Sequence, residues 1–262
     1  MISSQRALEL STLAGIFLES RRTATPVSSI PEALEPQSLE EAWFVQDRMA
    51  EVIEPKGSVP ARSWKIGASS PESTPNFSPM IAAWIAPSGS VYSGDRLRLR
   101  GLEAEVAFKL GKPLPPRATP YTREEVIAAI ESCHPVIEEL EAALPVLKDA
   151  PKNRKQADLG MHGGFIYGPA VANWQQIDLA KENVTLTVEG IEVKNRTASN
   201  SAGTDPIRMI IFLANEGATR TGGLEAGTWI TTGSWTGNDF AKAGDVVEVN
   251  FSTVGKVSMR FA

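Results

Sequence analysis

A chain of 262 residues, 42% hydrophobic and 22% charged, is long enough for one large domain with a real core or two modest ones. The formal net charge of -5 gives no electrostatic footprint for nucleic acid, and the single cysteine, Cys133, excludes an intrachain disulfide framework and a cysteine-rich zinc site. The N-terminal stretch lacks the basic-then-apolar order of a secretory signal. The longest apolar run, Met209 to Ala214, falls far short of the roughly 20 residues that span a bilayer, so a soluble cytoplasmic protein with no membrane partner is expected.

Residues 4–22 place Leu10, Leu13, Ala14 and Phe17 at helical spacing, which predicts an amphipathic helix. A Pro/Ser-rich connector follows. Ser38 and Glu41 then form a capping-box pattern that opens a second helix, with Ala42, Val45, Met49 and Val52 on one face. From Arg62 onward the texture changes to short strand-like runs broken by Gly and Pro. Residues 103–110, EAEVAFKL, alternate acidic and apolar at period two, the pattern of a strand with one face buried. Thr122 and Glu125 cap a helix over VIAAI, and residues 135–142 read as a strand.

Further on, VTLTV, Glu189-Gly190 and IEV predict a hairpin with a tight turn. Asp205-Pro206 opens the helix IRMIIFLAN, with Pro at the favoured first position. Strands WITTG, VVEVNF and VSMRF follow, the last two joined through Gly255. The expectation is an α+β protein: a small helical region over 1–60 leading into a β-rich core over 61–262, together one structural unit.

On a strand, residues i and i+2 point the same way, so Glu103 and Glu105 stand side by side. Two carboxylates that close repel unless a cation lies between them. With a third acid from a neighbouring strand they would suit Mg²⁺ or Mn²⁺, hard ions that prefer oxygen. The same spacing is also what the wet face of a half-buried strand produces, and spacing alone does not decide between the two. Lys65, between Trp64 and Ile66, is a candidate for binding an anion or moving a proton, or else a lysine snorkelling from a strand edge. His134 and His162 have no zinc spacing and no G-x-S-x-G elbow, and read as structural or surface histidines. Cys133 reads as a small buried residue. No G-x-G-x-x-G or P-loop supports a nucleotide cofactor.

In order, W-K-I-G (64–67), G-L-E-A-E-V-A-F (101–108), P-V-I-E (135–138), A-D-L-G-M-H-G-G-F-I-Y-G-P (157–169), D-P-I-R-M-I-I-F-L-A-N (205–215) and L-E-A-G-T-W-I-T-T-G-S-W-T (from Leu224) run through nearly the whole chain. This series resembles the fumarylacetoacetate hydrolase superfamily, and within it the hydratase/decarboxylase branch. The resemblance implies that family's mixed β-sandwich roll. It implies Mg²⁺ or Mn²⁺ on Glu103, Glu105 and Glu138, and Lys65 in the active site. It also implies that Gly233, Ser234 and Thr236 wall the substrate carboxylate.

Three positions depart from the family pattern. P-N-F-S puts Asn76 where an acid is frequent, Glu141-Ala142-Ala143 replaces D-S-R or D-A-R, and Asp158-Leu159 replaces D-N. Glu141 is kept as a catalytic candidate, and Asn76 and Asp158 as substrate contacts. The implied reaction is hydration of a 2-hydroxy-2,4-dienoate in aromatic-compound catabolism. Decarboxylation of 4-oxalocrotonate, C–C hydrolysis of an acylpyruvate, or non-catalytic binding of a 2-oxo acid are the alternatives. The implied partners are a small 2-oxo or 2-hydroxy acid, further copies of the chain in a homo-oligomer, and a pathway decarboxylase or hydratase.

Overall fold

In the computed structural model, which describes residues 2–59, 61–92, 97–145, 150–171 and 173–262, the chain opens with two helices, α1 (Ser4–Thr23) and α2 (Leu39–Ile53). Strands β1 (Ser63–Gly67), β2 (Asn76–Met80), β3 (Ile85–Pro87), β4 (Ser90–Tyr92) and β5 (Gly101–Leu110) follow. Helix α3 (Arg123–Ala129) runs directly into β6 (Ile130–Leu140), and α4 (Lys152–Ala157) precedes β7 (His162–Tyr167). The hairpin β8 (Asn183–Val188) and β9 (Ile191–Thr197) leads to α5 (Ile207–Asn215) and α6 (Ala218–Thr221). Strands β10 (Trp229–Ser234), β11 (Asp239–Phe240), β12 (Val246–Phe251) and β13 (Gly255–Phe261) finish the chain. Among the described residues no helix is long and apolar enough to cross a membrane.

The strands form two sheets. One has the order β2-β1-β10-β5-β6-β7-β3, with β11 also pairing with β5; the other runs β4-β13-β12-β8-β9. Val106, Phe108 and Ile137 of the first sheet share a buried core with Val249, Phe251, Val257 and Met259 of the second. Trp235 meets Phe251 edge-on at 5.7 Å between ring centres. This is the sandwich with helical flanks expected from the sequence.

Local chemistry explains most of the element ends. Glu189 and Gly190 both take positive φ, 51° and 74°, which matches the turn to the twist of the β8–β9 hairpin. The capping box at Thr122 and Glu125 is complete. At Ser38 only half of it forms: Ser38 caps Glu41 N–H, while the Glu41 carboxylate turns to Arg6 and to the Gln37 N–H. Pro206 occupies the cap of α5 rather than its first turn.

Three further expectations need correction. Val52 is 62% exposed, because α2 ends one residue later and its last turn lies past the packed face. Strand β5 is covered on both sides rather than one, with Glu105 buried alongside Val106. The strand over 135–142 stops at Leu140, because residues 142–144 turn away to floor a second core. There Ala142, Ala143 and Leu144 pack with Leu10, Leu13 and Phe17 of α1 and Val45 and Met49 of α2.

Candidate metal centre

Five adjacent strands bring the site together. β1 lies parallel to β10, β10 antiparallel to β5, β5 to β6, and β6 to β7. In this register Glu103 on β5 faces Glu138 on β6 directly, and Glu105 faces Ser234 on β10. Like charges opposite one another are destabilising unless something neutralises them. Lys65 on β1 supplies one positive charge, its Nζ lying 2.6 Å from Glu138 Oε1.

A register shift between Thr231 and Ser234 re-aims β10 at this point. Gly233 sits in the shift at φ 92°, a conformation that a side chain rarely adopts. The irregularity delivers two donors to Glu105: Thr231 Oγ1 and the Gly233 N–H, at 3.1 Å for the latter, both reach Oε2. Ser234 donates to Glu103. Glu138 Oε1 also faces His162 Nδ1 at 3.2 Å. Among the described residues no donor reaches Glu138 Oε2, although that atom is buried.

The electrostatics follow from this crowding. Burial and the neighbouring Glu138 lift the Glu103 carboxyl to about 7 against the pull of Lys65. Burial, then Glu138 and Glu103, hold Glu105 well above the usual carboxylate range. Burial also works against ionised Glu138, but Lys65 and His162 outweigh it and keep this carboxyl low. Burial opposes the charged form of Lys65 too, and the three carboxylates overcome it and raise its ammonium pKa. Burial drives His162 down to about 4.

The donor set fits a hard divalent ion. Carboxylate oxygens of Glu103, Glu105 and Glu138 all lie within 4.8 Å of one another. Two oxygens each at about 2.1 Å from one Mg²⁺ stand about 3 Å apart when adjacent and about 4.2 Å when opposite. Fully ionised, the three acids and Lys65 leave two negative charges in surplus, which one divalent cation cancels. Buried charge on that scale is costly unless paired, and the orphaned Oε2 of Glu138 lacks the partner that an ion supplies.

A cavity of about 190 Å³ opens onto this cluster, lined by Lys65, Ile66, Gly67, Ala68, Glu103, Glu105, Glu138, Ser201, Gly233 and Ser234. The structure thus brings Lys65, the three glutamates and Ser234 together. Four other sequence candidates lie elsewhere. Glu141 is buried, and its carboxylate accepts the N–H groups of Arg98, Leu99 and Ala142, so it closes a turn and does not line the cavity. Asp158 is buried against Arg21 and caps the Ala143 N–H, outside the cavity lining. Asn76 accepts from Trp43 Nε1 at 3.2 Å and from the Phe77 N–H, facing the α2 side. Thr236 accepts the Ala104 N–H at 3.0 Å and so clamps the continuation of β10 onto β5. Neither Asn76 nor Thr236 lines the cavity.

The sequence reading passed over His162, Thr231 and Ser201. His162 carried a signal: it falls inside the A-D-L-G-M-H-G-G-F run of the resemblance. Thr231 carried the same signal, inside the run from Leu224, whereas Ser201 carried none, because the fold that brings it in is invisible locally.

Comparison with known proteins agrees with this architecture. A family model described as fumarylacetoacetate (FAA) hydrolase C-terminal matches residues 60–262. The chain is 27% identical over 236 residues to the 2-oxo-hept-4-ene-1,7-dioate hydratase of Escherichia coli, covering 86% of this chain and 87% of that protein. It is 28% identical over 199 residues to a 4-oxalocrotonate decarboxylase of Pseudomonas putida, covering 76% and 74%. Among solved structures, 4-oxalocrotonate decarboxylase from Pseudomonas putida G7, complexed with magnesium and adipate, has a TM-score of 0.84 at 23% identity, over 100% of this chain and 99% of that one.

Proposed function

The chain belongs to the fumarylacetoacetate hydrolase family, and on that premise we propose that it is a metal-dependent lyase hydrating a 2-hydroxy-2,4-dienoate to a 4-hydroxy-2-oxo acid. The observation that carries this reading is the convergence of three carboxylates and one lysine on a single small cavity. Relatives named as a hydratase and a decarboxylase, both lyase-type enzymes, support it.

Glu103, Glu105 and Glu138 would hold Mg²⁺ or Mn²⁺, which as a Lewis acid stabilises enolate charge on a 2-oxo acid. The protein's own groups do the rest. Charged Lys65 at the cavity wall attracts the substrate anion and stands ready to deliver a proton from Nζ. Protonation of the dienoate at its far carbon, C5, gives an α,β-unsaturated 2-oxo acid. The 2-hydroxyl proton lost in this ketonisation restores Lys65; water then adds across C3 and C4, its hydroxyl to C4 and its proton to C3, so the sum is one water gained. Gly233 and Ser234 hold the carboxylate cluster in place at the cavity wall.

A second reading is decarboxylation of 4-oxalocrotonate. One observation favours it: among the lining residues Lys65 is the only titratable group besides the three carboxylates. Loss of CO₂ followed by a single protonation asks for one proton donor, whereas hydration must also manage the proton of the incoming water. Assay of the purified protein with Mg²⁺ or Mn²⁺ tests both. Loss of absorbance from freshly generated 2-hydroxypenta-2,4-dienoate identifies the hydratase, CO₂ release from 4-oxalocrotonate identifies the decarboxylase, and silence with both substrates sinks the two readings together.

A further inference from the structure

Each oxygen of Glu138 has a different neighbourhood. Oε1 takes two contacts, Lys65 Nζ at 2.6 Å and His162 Nδ1 at 3.2 Å. Oε2 is buried and takes no hydrogen bond from the described residues. Glu105 is likewise pinned at one oxygen, its Oε2 accepting from Thr231 Oγ1 and the Gly233 N–H. A carboxylate with one oxygen pinned by donors presents the other as a single, directed ligand atom.

His162 is built for this task. It begins β7, next to the strand that carries Glu138, and its ring is fully buried beside Trp84, with centroids 5.8 Å apart. Its carbonyl is gripped by Arg21 Nη1 at 2.8 Å, which ties the backbone under the ring to helix α1. An ionised carboxylate only accepts, so the proton of the imidazole belongs on Nδ1. Among the described residues His162 Nε2 has no hydrogen-bond partner that competes for the ring.

We infer that His162 is a positioning residue for the metal ligand Glu138, its Nδ1–H joining Lys65 on Oε1 so that Oε2 is turned toward the ion. This rests on the metal-centre reading above and goes beyond it, because the family resemblance gives His162 no role. A carboxylate freed from one of its two anchors swings between rotamers, and its ordering cost falls on metal binding. Loss of such an outer partner typically weakens a metal about 10- to 100-fold.

The test is Mn²⁺ binding to the full chain, followed by calorimetry and by the EPR signal of free Mn²⁺. His162→Phe keeps a ring beside Trp84 but removes the donor, and should weaken Mn²⁺ about 10- to 100-fold. His162→Asn restores an N–H donor close to the Nδ1 position and should recover most of the loss. Unchanged Mn²⁺ affinity in His162→Phe, with wild type binding normally, overturns the positioning role alone. Failure of the wild type to bind Mn²⁺ takes the metal-centre reading down as well. Should His162→Phe not fold, ¹⁵N NMR of the wild-type imidazole decides: a proton on Nδ1 with Nε2 bare supports the role, and a proton on Nε2 with Nδ1 bare defeats it.

Discussion

The guanidinium of Arg21 lies 2.6 Å from the carboxylate of Asp158, and both side chains are shielded from water. From that anchor Arg21 also reaches the carbonyls of Glu141, Asp158 and His162. One arginine from the first helix thereby holds together the loop after β6 and the start of β7.

Breaking this pair should cost stability rather than substrate binding. Asp158→Ala strands a buried guanidinium, a loss of about 3–5 kcal/mol. Urea unfolding should show a lowered midpoint with little change in slope. KM should hold at the wild-type value, since Asp158 does not line the cavity. A raised KM at unchanged stability would restore Asp158 as a substrate contact.

Metal should stabilise the folded chain by mass action. Mg²⁺ at 100 times its Kd adds about 2.7 kcal/mol, which for a chain of this size raises Tm by roughly 5–11 °C. EDTA should reverse the shift. Glu105→Gln places a neutral amide among the ligands, and should abolish the metal-dependent part of Tm while leaving the metal-free Tm close to wild type. Equal metal shifts in both proteins would remove Glu105 from the ligand set.

Burial pushes the Cys133 thiol up to about 12, against a modest opposing pull from its neighbour's backbone. Thiolate is the reactive form. Ellman's reagent at pH 8 should therefore titrate almost no thiol in the native protein and one per chain after denaturation. Rapid native labelling contradicts this.

His134 is tucked under Trp229, with its ring nitrogens on the Gly168 carbonyl and the Ser132 hydroxyl, both at 2.8 Å. Burial lowers its pKa from the ordinary 6.5, with Lys109 adding to the effect against the Gly168 carbonyl. The unfolded chain therefore takes up this proton first as pH falls. Stability from the neutral ring is complete above about pH 6.5 and declines below it until the folded state protonates as well. The drop in urea midpoint from pH 8 to pH 5 should be smaller in His134→Gln than in wild type. Identical drops would rule the residue out.

Much of the fold was legible because local pattern and tertiary role coincide. The alternation through Glu103–Leu110, the caps at Ser38 and Thr122 and the turn at Glu189-Gly190 are all decided within a few residues. β2 and β7 escaped a period-two reading because both are buried on nearly every side chain, which erases the alternation. Within the site, the adjacency of Glu103 and Glu105 followed from strand geometry, and the remainder did not. That Glu138 stands opposite Glu103 depends on the β5–β6 register, fixed by packing across the whole hairpin. That Glu141 and Asp158 lie outside the cavity lining was not legible for a physical reason: an acid that caps backbone N–H groups inside the fold is indistinguishable in sequence from one that lines a pocket.

The place of β10 has a consequence for how the chain is made. It lies between β1 and β5, both synthesised well over a hundred residues before it. At about 5–20 residues per second, the gap between those strands stays open on the ribosome for roughly 6–24 s. Through that interval two strand edges are bare, and Glu105 lacks Thr231 and Gly233. A nascent chain stalled before residue 229 has an unfinished carboxylate cluster and two edges free to pair with other chains.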